Sequence, residues 1–97
     1  MRVDDLTEFP GGDLVEQGLL DIAAHRYSEN ALLVAVAGPR LRGLGFEFDD
    51  PVDLEEPYEH RLYEAIEARS PRSAHMDYNA LIGRIVSFAQ AYEQRRR

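Results

Sequence analysis

Apolar positions along this 97-residue chain recur at helical spacing in four places. After the breaker Pro10-Gly11-Gly12, Val15, Leu19, Ile22 and Ala23 share one face of a 3.6-residue period, which predicts an amphipathic helix over residues 13–26. Asp13 stands where an N-cap would be, and Glu16, three residues on, is placed to reach back in a capping box. Gly18 inside this helix costs about 1 kcal/mol relative to alanine, so it marks either a close helix contact or a tolerated weak point.

Ser28 is set to cap a second helix, with Tyr27 before it and Leu32 in place for a hydrophobic staple. Its body, Ala31-Leu32-Leu33-Val34-Ala35-Val36-Ala37, is apolar on every face, which predicts a central element touching several neighbours. A buried strand competes for the same run, but the serine cap and the alanines favour helix. Gly38-Pro39 ends it, Pro39 can begin a further short turn over 40–44, and Phe46 and Phe48 then alternate with acids in extended chain. Pro57 suits the first position of a third helix, and Glu55, Glu56 and Glu59 lie at the positive end of its dipole. Tyr58, Leu62, Ala65 and Ile66 supply its inner face, and Ser70-Pro71 stops it near Arg69. A fourth helix begins around Ser73 to Asp77. Tyr78, Leu81, Ile85, Phe88 and Tyr92 form its stripe, Ile82, Val86 and Ala89 widen that stripe, and Arg95, Arg96 and Arg97 complement its negative end.

These signals predict one all-α domain over residues 1–97, a small bundle of four main helices in two antiparallel pairs. Residues 1–12 are expected as an extended segment, and residues 47–56 as an acidic connector between the pairs. The connector changes the electrostatic picture. Residues 47 to 59 hold seven acids and no base, while the rest of the chain balances eleven acids with eleven arginines, so the net charge of −7 sits in one stretch. Such a stretch repels nucleic acid and anionic lipid and attracts a basic partner. Three terminal arginines on an acidic body make a poor nucleic-acid footprint.

Cysteine is absent, which removes disulfides, thiol nucleophiles and thiolate metal sites and fits a reducing compartment. Without lysine, Schiff-base and P-loop chemistry also drop out. The first residues lack an apolar leader core, and the longest apolar run, Ala31 to Ala37, is far too short for a bilayer, so a soluble cytoplasmic protein is expected.

Chemistry, if present, would sit on the histidines. Asp21 and His25, and His60 and Glu64, are spaced four apart and can share a helix face, but two donors do not make a metal centre and no His-Glu-x-x-His run exists. No metal and no cofactor are expected. Ser70, Ser73 and Ser87 lack a Gly-x-Ser-x-Gly elbow and read as turn and cap residues. Arg69 and His75, separated by five residues across Arg69-Ser70-Pro71-Arg72-Ser73-Ala74-His75, resemble the Arg-x(4 to 6)-His motif of the HEPN family, whose helical bundles include ribonucleases. That resemblance implies a histidine that shuttles a proton and an arginine that stabilises a phosphorane-like transition state. Pro71 departs from the family pattern, where the motif rides on a helix.

The preferred expectation is a non-enzymatic interaction or regulatory module. It binds a basic protein partner through an apolar helical surface and the carboxylates of Glu47, Asp49, Asp50, Asp53, Glu55 and Glu56. The alternative is a small HEPN-like ribonuclease using Arg69 and His75. A homodimer is expected through Gly83, Ser87 and Gln90, which with Asn79 leave the outer side of the last helix small and uncharged.

Overall fold

The computed structural model describes residues 3–49 and 57–96. They form a short 3-10 helix, Val3–Glu8, followed by α1 (Gly12–Ala23), α2 (Glu29–Val36), α3 (Gly38–Gly43), α4 (Tyr58–Arg69) and α5 (Ala74–Arg96), with no strand among the described residues. The protein is a small all-α bundle. Its elements follow the hydrophobic pattern closely, and the departures have local causes.

The N-terminal segment is not extended. Leu6 is fully buried, and the amides of Phe9 and Gly12 donate to the carbonyls of Leu6 and Phe9 at 3.0 Å each, so burial of Leu6 curls residues 3–8 onto the bundle. The capping box expected at Asp13 and Glu16 also does not form. Gly11 is the N-cap, with φ of 74°, and a Cβ there would lie 2.7 Å from the Arg84 carbonyl oxygen, so both the turn and the close approach of α5 require glycine. Asp13 stands instead in the first turn, where its carboxylate favours the helix dipole and takes Arg84 at 3.2 Å.

Gly18 resolves as a close contact. A Cβ added to it would collide with the Asn30 carbonyl and the Val34 side chain, so its absence lets α1 and α2 pack backbone to backbone. Ser28 caps α2 as expected, its hydroxyl accepting from the Ala31 amide at 3.2 Å. Ala31 to Ala35 are all buried, which follows from a helix apolar on every side: α2 packs on α1 along one flank and on α4 along another. The turn after Pro39 grows into α3, whose Leu41 is fully buried, giving five α-helices among the described residues where four main ones were expected.

α5 joins the core through Ala74 at its start and more extensively through its C-terminal half. Ile85, Phe88, Ala89 and Tyr92 are buried there, and Phe9, Phe46, Phe88 and Tyr92 form an aromatic cluster with ring centroids 4.8 to 5.9 Å apart. Tyr78, Leu81 and Ile82 are half-buried. Val86, expected to widen the core stripe, is 47% exposed, because α5 presents a narrow edge to the bundle and residue 86 lies about 100° around the helix from Ile85.

Candidate functional site

The most elaborate polar arrangement closes the corner between α1 and α2. His25 has φ of 58°, its amide donates to the Ile22 carbonyl at 3.0 Å, and the Arg26 amide donates to the Asp21 carbonyl at 2.8 Å. This is a Schellman ending with histidine where glycine is usual. The side chains repeat the link: the Asp21 carboxylate accepts from Ser28 Oγ at 2.5 Å, Gln17 Nε2 at 2.8 Å and Arg26 Nη2 at 3.2 Å. Asp21 is the buried charged residue of the described core. The Ser28 hydroxyl is the largest influence holding its carboxyl below the ordinary 3.8; burial opposes this, and Gln17 and Arg26 reinforce it. Asp21 thus works as a fastener between two helices, while His25 lies exposed at the turn. Among the described residues no group of three potential ligands gathers to hold a metal ion.

A second cluster ties three helices together. The Arg69 guanidinium donates to both Glu29 carboxylate oxygens at 2.6 and 2.9 Å, to Asp77 at 3.4 Å and to the Ser70 hydroxyl at 3.1 Å, joining the end of α4 to the starts of α2 and α5. The Glu29 hydrogen bond, followed by the Coulombic pull of Glu29 and Asp77 against partial desolvation, raises the arginine's already high pKa. His75 lies on the exposed side of α5, its Nε2 3.3 Å from Asn79 Nδ2. Arg69 and His75, paired in the sequence, therefore have separate partners. His60 and Glu64 meet at 3.7 Å on the exposed side of α4.

The acidic stretch is described at its two ends. Glu47 and Asp49 are exposed after α3, and Glu59 is exposed in the first turn of α4. Asp50, Asp53, Glu55 and Glu56 lie outside the described residues. Arg42 turns back towards this stretch, donating to the Phe48 carbonyl at 3.2 Å with its guanidinium 4.3 Å from the Phe48 ring centroid. Gly83, Ser87 and Gln90 are exposed, and nothing lies within 4 Å of where a Gly83 Cβ would stand. With Met76, Ala80 and Gln94 they continue one uncharged outer stripe of α5.

Asp21 and Arg69 were not recognised from sequence as organising residues. Asp21 did leave a signal, since it is an acid in the last turn of a helix, where a carboxylate opposes the dipole and calls for a partner. The Arg69 to Glu29 pair spans 40 residues and had no local signature. No protein-family model, curated protein or solved structure matches the chain.

Proposed function

We propose that the protein is a non-enzymatic interaction module that binds a basic protein partner, the acidic stretch 47–59 steering approach and an apolar helical surface giving affinity. The observation that carries this reading is how the charges are committed. Arg26, Arg40, Arg69, Arg84 and Arg95 each pair with an acid outside that stretch, namely Asp21, Glu93, Glu29, Asp13 and Glu8. The negative excess is concentrated in 47–59, where Glu47, Asp49 and Glu59 face solvent. A concentrated field of one sign accelerates encounter with a partner of the opposite sign and discourages the wrong ones.

The ribonuclease reading would require the Arg69 guanidinium on a phosphate. Glu29 and Asp77 already occupy that guanidinium, which favours the binding reading. Self-association along the outer stripe of α5 belongs to the same proposal as a second, weaker contact.

Neutralising Asp49, Asp50 and Asp53 to asparagine together tests the steering role. An arginine-rich amphipathic peptide, titrated into the full-length variant, should bind more weakly than to wild type at low salt. The difference should shrink as salt shortens the screening length to about 8 Å at physiological ionic strength. Equal affinity at low salt, with the helical circular dichroism intact, would sink the proposal.

A further inference from the structure

We infer that the α4–α5 face around Tyr63, Tyr78 and Glu59 is the seat for an arginine side chain of the basic partner. The inference rests on the binding function proposed above and gives it a place and a chemistry. Tyr78, on the inner side of α5, is half-buried against Tyr63 of α4, also half-buried. The two rings stand 5.7 Å apart at 58°, a bent aromatic wall that is partly open to solvent. Ring faces carry negative quadrupolar charge and attract a guanidinium placed within about 6 Å.

A carboxylate accompanies the rings. Glu59 is exposed and lies four residues before Tyr63, hence one helical turn away on the same side of α4. Its field reaches Tyr78, whose hydroxyl pKa is raised first by burial and then by Glu59. Glu59 is also the last acid of the 47–59 stretch, so a cation drawn to that stretch arrives beside the two rings.

The molecule uses this combination on itself. Arg95 lies 5.2 Å from the Phe9 ring centroid while pairing with Glu8 at 3.2 Å, and Arg42 lies over Phe48 while bonding its carbonyl. A guanidinium shared between a ring and a neighbouring oxygen thus occurs at Arg42 and at Arg95. Tyr63, Tyr78 and Glu59 offer the same parts with the rings still partly exposed. The Glu59 carboxylate beside the rings favours a cation over an anion.

The test uses full-length protein and a labelled arginine-rich amphipathic peptide, with a control peptide in which citrulline replaces arginine. Tyr63→Leu and Tyr78→Leu keep an apolar side chain and remove the ring face. Each should weaken the arginine peptide roughly two- to fivefold, the range of exposed cation–π contacts. Neither should change the weak binding of the citrulline peptide. Tyr63→Phe and Tyr78→Phe keep the ring face and should bind as wild type. If a leucine variant fails to fold, the near-ultraviolet tyrosine signal of wild type decides: it should shift with the arginine peptide and not with the citrulline one. Peptide that binds wild type and responds to the aspartate-to-asparagine triple variant, but is indifferent to loss of the rings, overturns this inference and leaves the proposed function standing. Peptide that does not bind wild type at all overturns both. Concentration-dependent dimerisation that blocks the tyrosines would show a second copy to be the occupant and would also overturn it.

Discussion

Asp21 lies in the core with its charge satisfied on both oxygens, by Ser28 on one side and by Gln17 and Arg26 on the other. A buried carboxylate is costly unless it accepts hydrogen bonds, and here those bonds favour the ionised form enough to lower the pKa despite burial. A carboxyl whose folded pKa is depressed contributes stability above its unfolded pKa, and that contribution is lost as pH falls through the folded value. The relevant window therefore opens below about pH 4, the ordinary aspartate value, and the contribution is constant near neutrality. Asp21→Asn should cost about 1–3 kcal/mol at pH 7, the range for hydrogen bonds to a charged group together with partners left short of one. The gap from wild type should close on acidification through that window. Urea unfolding at pH 7 and at successively lower pH measures it, and a variant as stable as wild type at pH 7 would mean that the carboxylate is replaceable.

At the scale of elements, two glycines inside helices make opposite demands. Gly18 carries α2 against its bare Cα, so Gly18→Ala should destabilise by about 1–3 kcal/mol, as overpacking does, in spite of alanine's better propensity. Gly83 has open space where its Cβ would be, and Gly83→Ala should stabilise by about 0.5–1 kcal/mol through helix propensity alone. Thermal unfolding of the two variants should move in opposite directions; a loss of stability at Gly83 would show that a neighbour packs against α5 there. The contrast marks the limit of what the sequence says. Helical periodicity located α1, α2, α4 and α5, the Ser28 cap and the central place of α2, because each is written within a turn or two of chain. The Gly11 cap, the curled segment at Val3–Glu8 and the exposure of Val86 depend on where Leu6 and α5 come to rest, which only the assembled bundle decides. The corner at Asp21 was half legible, as an acid at the wrong end of a helix. The Arg69 to Glu29 clamp was not, since its partners meet across 40 residues.

For the molecule as a whole, net charge and the outer face of α5 pull in different directions. Two copies each carrying −7 repel, so a second copy is tolerated best where the surface carries no charge. That surface is the stripe through Met76, Ala80, Gly83, Ser87, Gln90 and Gln94, about 27 Å long at about 1.5 Å per residue. One helix face paired with its symmetry mate buries less than the roughly 1,200–2,000 Å² of a stable interface, so the self-association we propose is weak. Salt then separates the two contacts. Raising ionic strength from about 0.01 M to about 1 M shortens the screening length from about 30 Å to about 3 Å, which removes the mutual repulsion of two acidic chains while also removing their attraction for a basic partner. Self-association should therefore strengthen with salt as peptide binding weakens. Sedimentation equilibrium over a concentration series at both salt levels measures the first, and Gly83→Glu, which places a charge at the middle of the stripe without touching the core, should abolish it. A protein that stays monomeric at high salt and high concentration, or a dimer that Gly83→Glu leaves intact, would place any pairing elsewhere than on α5.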